Sequence, residues 1–110
     1  FPDTCISENL YLKQARLLIE KGFRDAGYKY VNIDDCWSEL SRVNGKIVEN
    51  RKRFPSGLKN LSKTLHSWDL LLGLYGDIGP KTCAHTSQNT RTVQSTHIHR
   101  NEKNERRRCY

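Results

Sequence analysis

The side chains best equipped for chemistry in this chain are three carboxylates and a phenol: Asp34, Asp35, Asp77 and Tyr75. Asp34 and Asp35 end a short apolar and aromatic run and are followed at once by Cys36 and Trp37. Ionised acids accept charge-assisted hydrogen bonds, so acids gathered at one place hold and orient a polar ligand. Adjacent acids also serve as caps and turn formers, so their chemistry depends on where the backbone delivers them. Two other groups offer less. His97-Ile-His99 with Cys109 fits no standard closed metal site, and Arg106-Arg-Arg108 lacks the interleaved aromatics of a nucleic-acid footprint. Both are expected to be solvated, and no metal, cofactor or nucleic acid is expected.

The elements around the acids follow from periodicity and punctuation. Tyr28 to Ile33 alternates in polarity and is rich in β-formers, which predicts a strand with Asp34 and Asp35 at its exit. Upstream, Ser7 is a cap, Glu8 lies in a first turn, and Tyr11, Ala15, Leu18 and Ile19 share a face. A helix is expected from Ser7 to Lys21, with Gly22 as a left-handed stop. Val43-Asn-Gly-Lys46 signals a hairpin. Ser56 is then expected to cap a second helix, ending near Ser67, whose Leu58, Leu61 and Leu65 face a sheet. Leu70 to Tyr75 reads as a parallel strand buried on both faces. The fold class is therefore α/β: a helix followed by a βαβ unit. Such crossovers are right-handed, so both strand exits, with Asp34, Asp35, Tyr75 and Asp77, open onto one rim.

Composition bounds the rest. The 110 residues have 35% hydrophobic content, a mean hydropathy of -0.79 and no Met, so a thin core within a piece of a larger protein is expected. No apolar run nears the roughly 20 residues that span a bilayer, and no membrane partner is expected. The net charge of +7 is uneven, with 13 Lys and Arg against 10 Asp and Glu in residues 1–84, and six against two in residues 85–110. Residues 1–84 are expected to form the structured unit and 85–110 a disordered polar tail. Cys5, Cys36, Cys83 and Cys109 form no C-x-x-C pair, leaving disulfides open, and Asn60-Leu-Ser62 is a candidate glycosylation acceptor.

Asp34-Asp-Cys-Trp37, Lys52-Arg-Phe-Pro-Ser-Gly57 and Leu72-Gly-Leu-Tyr-Gly-Asp77 occur in that order with Cys5-Ile-Ser-Glu8, Asp25-Ala-Gly-Tyr28, Leu65-His-Ser67 and Lys81-Thr-Cys83. This set resembles the α-galactosidase and α-N-acetylgalactosaminidase family of glycoside hydrolases over about residues 4–84. The resemblance implies a (β/α)8 TIM barrel, of which this chain is a part, and retaining hydrolysis of terminal α-galactosides. It implies as substrate the terminal α-galactose or α-N-acetylgalactosamine of glycolipids, glycoproteins or oligosaccharides. Asp34 and Asp35 would hold the sugar through its hydroxyls, with Tyr75 and Cys83 lining the pocket. Carboxylates suit this task, because fixing the direction of an axial hydroxyl separates galactose from glucose. A lysosomal or secreted enzyme is implied, of a family whose members are often homodimers.

The same resemblance marks what the chain lacks. Retaining glycosidases need two carboxyl groups roughly 5 Å apart across the scissile bond, whereas neighbouring residues diverge from one backbone point. In the family the nucleophile lies in a Lys-x-Asp-x-Cys setting after the next strand, and the acid/base lies further on. No aspartate follows Asp77, and Glu102 and Glu105 sit among arginines. The chain is therefore expected to grip sugar without catalytic carboxylates and to be inactive alone, the alternative being weak or no sugar binding. The resemblance also implies that Cys5, Cys36 and Cys83 bond cysteines that this chain lacks. Pro80 and Trp68-Asp69 depart locally from the family pattern.

Overall fold

The structure is a computed structural model that describes residues 6–84 and residue 86. Its elements run α1 (Glu8–Glu20), β1 (Tyr30–Ile33), α2 (Leu58–Ser67) and β2 (Leu71–Leu74). The predicted tail from residue 87 on, with His97, His99, Arg106 to Arg108 and Cys109, lies outside the described residues, as does Cys5.

Helix α1 begins as its sequence requires. The Ser7 side chain accepts the Leu10 N–H at 3.2 Å, satisfying one of the orphan donors of the first turn. At the other end Gly22 takes φ 79°, where a Cβ would be strained, and its N–H returns to the Ile19 carbonyl at 3.1 Å. Glu8 does more than favour the helix dipole. Its carboxylate accepts the Ser56 N–H at 3.1 Å and the Ser56 hydroxyl, pinning the entry of α2 to the start of α1. Ser56 is thereby drawn away from the capping role expected of it. Gly57, at φ 85°, is the N-cap of α2 and supplies no side-chain cap.

Strands β1 and β2 pair in parallel, with Tyr30 opposite Leu71, Val31 opposite Leu72, Asn32 opposite Gly73 and Ile33 opposite Leu74. Alternation along β1 sends Val31 and Ile33 to one face, where they join Ala15, Phe54, Leu61, Leu65 and Leu70 in the core. The opposite face is open: Tyr30 is 65% exposed and Leu71 40%. Leu74 is also 51% exposed, so the expectation that residues 70–75 are buried on both faces is not met. Leu74 stands opposite Ile33 on the core side; for Leu71 the reason is layering. The core lies on one face of a two-stranded sheet, and no second layer covers the other face among the described residues. On the open face Gly73 has a steric role, because a Cβ there would overlap the Asn32 amide oxygen.

Between β1 and α2 the expected hairpin forms. Val43 and Lys46 exchange both backbone hydrogen bonds at 2.9 Å, with Asn44 at φ 49° and Gly45 at φ 74°, the paired positive angles of a two-residue type I′ turn. A second tie joins the far ends of the strands. Lys29 Nζ donates to Asp69 Oδ2 at 2.7 Å while the Lys29 carbonyl accepts the Leu71 N–H at 2.7 Å.

Two outcomes test this packing. Phe54 is fully buried and its ring stacks on Tyr11 at 6.3 Å, so Phe54→Ala should cost about 3–5 kcal/mol in urea unfolding, a large share of the stability of so small a core. The hydrogen bond and the charge of Lys29 hold the Asp69 carboxyl below its ordinary value of 3.8. That contribution is present above 3.8 and is lost as pH falls through the depressed value, so the gap in melting temperature between the wild type and Lys29→Met should narrow there.

Candidate functional site

Because the strands are parallel and Ile33 stands opposite Leu74, the residues after them leave the sheet abreast. The Tyr75 N–H donates to the Ile33 carbonyl at 2.9 Å, extending the ladder by one rung. The loop after β1 then folds over the exit of β2, where Trp37 Nε1 donates to the Tyr75 carbonyl at 2.9 Å. Trp37 is otherwise packed against the core, an aromatic body with one polar tip that finds its partner.

The two adjacent acids are held differently. Asp34 is exposed, and its Oδ1 accepts the Asp35 N–H at 2.7 Å. Asp35 is half-buried, and its Oδ1 accepts the Cys36 N–H at 2.7 Å while its Oδ2 accepts the Ala84 N–H at 3.0 Å. The Thr86 hydroxyl adds a long contact of 3.5 Å to Asp35 Oδ1. Cys36 lies at φ 73°, an uncommon angle for a residue with a Cβ, so the chain turns sharply just past the acids. Asp34 therefore faces the rim, and Asp35 is committed largely to the loop beside it.

That loop closes on itself. Thr82 N–H donates to the Thr86 carbonyl at 3.0 Å, their hydroxyls lie 2.8 Å apart, and both residues are buried. Ala84 and Thr86 escaped the sequence reading, since a backbone N–H carries no residue-type signal and a threonine in a polar stretch looks like any other. Tyr11 was read only as part of an apolar helix face. Its hydroxyl in fact accepts the Asp34 N–H at 3.2 Å.

A shallow hollow of about 250 Å³ at the strand ends is lined by Asn32, Ile33, Asp34, Gly73, Leu74 and Tyr75. Asp34 and Tyr75 share it. Burial, followed by the negative fields of Asp77, Asp35 and Asp34, raises the Tyr75 phenol above its ordinary value of 10.0, so it is a neutral donor and acceptor at moderate pH. Asp77 is exposed and its Oδ1 accepts the Ile78 N–H at 2.7 Å, so it contributes field to the rim more than contact. Cys83 lies elsewhere, lining with Cys36 a separate hollow of about 900 Å³. Cys83 is disulfide-bonded. Cys36 is a half-buried thiol. Asn60 is exposed near the start of α2, where its amide donates to the Ser56 carbonyl at 2.8 Å.

This arrangement has counterparts in known proteins. The family model described as "Alpha galactosidase A" (Melibiase_2) matches residues 1–97. Alpha-galactosidase A of Homo sapiens is 46% identical over 84 residues, which cover 76% of this chain and 20% of that protein. Alpha-N-acetylgalactosaminidase of Gallus gallus is 46% identical over 83 residues, covering 74% of this chain and 20% of that protein. The solved α-galactosidase from Saccharomyces cerevisiae with raffinose is 38% identical with a TM-score of 0.69, over 72% of this chain and 18% of that one. The chain spans about one fifth of the length of the curated relatives it matches. With a family match over residues 1–97 and relatives at 46% identity, the chain belongs to the α-galactosidase and α-N-acetylgalactosaminidase family of glycoside hydrolases.

Proposed function

We propose that this chain is a sugar-gripping portion of a (β/α)8 barrel that hydrolyses terminal α-galactosides or α-N-acetylgalactosaminides with retention, and that the two bond-cleaving carboxylates are not among its residues. The observation that carries this reading is the shared hollow of Asp34 and Tyr75, delivered abreast by two parallel strands. An exposed carboxylate beside a neutral phenol offers acceptors and a donor to neighbouring sugar hydroxyls. Asp34 is the first acceptor. Asp35, with both oxygens already engaged by Cys36, Ala84 and Thr86, adds its remaining lone pairs and fixes the wall from behind. The neighbouring positions of the two acids argue against their being the catalytic pair, which must stand across the scissile bond.

The ligand class follows the relatives, whose names include α-galactosidase and α-N-acetylgalactosaminidase, one of them solved with raffinose. The disulfide at Cys83 favours an oxidising compartment, in keeping with a lysosomal or secreted protein. A second reading, a non-catalytic chain with weak or no sugar binding, is favoured by the open sheet face at Tyr30 and Leu71, since two strands alone do not close a barrel.

Titration of galactose against indole fluorescence separates these readings. In a Trp68→Phe background, where Trp37 alone reports, the first reading gives a saturable change with galactose or N-acetylgalactosamine and little with glucose. Asp34→Asn should weaken it about tenfold or more. No saturable response, or an equal one to glucose, leaves the second reading standing. The chain should also fail to turn over a nitrophenyl α-galactoside; turnover abolished by Asp35→Asn would refute the division of roles.

A further inference from the structure

The peptide unit between Ile33 and Asp34 is held on both sides. In a trans peptide the carbonyl and the following N–H point in opposite directions. Here the Ile33 carbonyl points toward β2 and accepts the Tyr75 N–H at 2.9 Å, so the Asp34 N–H must point away from that strand. What it meets there is the Tyr11 hydroxyl at 3.2 Å, a side chain 23 residues earlier, on a different element. β1 has no ladder partner on that side among the described residues, so this N–H finds its acceptor in a side chain.

Tyr11 is suited to the task. Its ring stacks on the fully buried Phe54, which fixes the plane from which the hydroxyl projects. Burial, as the largest influence, keeps the phenol above its ordinary value of 10.0, so it accepts as a neutral group and brings no second negative charge beside the Asp34 carboxylate. The next link is local. The Asp34 Oδ1 accepts the Asp35 N–H at 2.7 Å, so once the preceding peptide plane is fixed, side chain and backbone lock together. A methyl or bare ring at the same place would pack as well and hold nothing.

We propose that Tyr11 is a positioning residue for the sugar-gripping carboxylate: its hydroxyl, with the Tyr75 N–H opposite, clamps the Ile33–Asp34 peptide and so sets the aim of Asp34 into the hollow. This rests on the sugar-binding reading above but adds a residue from α1 to it. Loss of the clamp frees the peptide plane to rock about its strand end, and the acceptor geometry offered to a hydroxyl blurs without any change in the core.

Tyr11→Phe isolates the hydroxyl, because it keeps the ring against Phe54. The measurements are amide hydrogen exchange at Asp34 and galactose titration, in the full 110-residue chain, with Leu65→Val as a control that loosens the core but keeps the Tyr11–Phe54 ring pair. The expected result for Tyr11→Phe is unchanged helical circular dichroism, Asp34 exchange faster by about tenfold, and galactose affinity lower by about three- to tenfold. Leu65→Val should speed exchange throughout the core with no selective effect at Asp34. Unchanged exchange at Asp34, or faster exchange with unchanged affinity, overturns the inference. If the wild type binds no galactose while Asp34 exchange still responds, the sugar-binding reading fails first, and Tyr11 is reduced to a brace for the strand end.

Discussion

The hydrogen bond from Tyr75 N–H to the Ile33 carbonyl is the last rung of a parallel ladder, and the rim is arranged by it. Parallel pairing sends both chains out of the sheet at the same end, whereas antiparallel pairing would have put Tyr75 and the acids at opposite ends. Register does the rest. A slip of one residue would carry Ile33 out of the core and turn Asp34 toward the helices, so burial of Val31 and Ile33 specifies which side chains reach the hollow. The apolar alternation of four residues thus governs the placement of polar ones that follow.

What keeps the register in place is largely at a distance from the rim. Glu8 ties the beginnings of the two helices through Ser56, and Lys29 with Asp69 ties the beginnings of the two strands. Both ties are exposed and individually modest. Their value is geometric, because each joins segments far apart in sequence and together they restrict how the helical layer slides over the sheet. Trp37 performs the matching task at the exit, holding the loop after β1 onto the backbone of Tyr75.

Much of this frame was legible in the residues alone. Ser7 and Gly22 bounded α1 because capping chemistry is local, and Asn44-Gly45 fixed the hairpin because few residues accept two positive φ angles in succession. Legibility failed where a side chain had a choice of partners. Ser56 is a good cap by type, but a carboxylate from another helix competes for it and Gly57 takes the position. The run at Leu70 to Tyr75 reads as buried on both faces, a pattern suited to a sheet with a second layer, while β2 has only one covered face here. At the site, the strand pattern put Asp34 and Tyr75 at neighbouring strand exits, where the parallel register has them. It gave no hint that Asp35 turns toward Ala84 and Thr86, since backbone donors are the same in every sequence.

The open face holds one further lesson. Asn32 leans across the ladder into room that exists only because Gly73 has no side chain. The two positions share a single allotment of space, so bulk can pass from one strand to the other but cannot be added to either alone. The contour beneath the acids is thus set by a sum over two residues, and a sequence that enlarged position 73 would have to shrink position 32 in the same step.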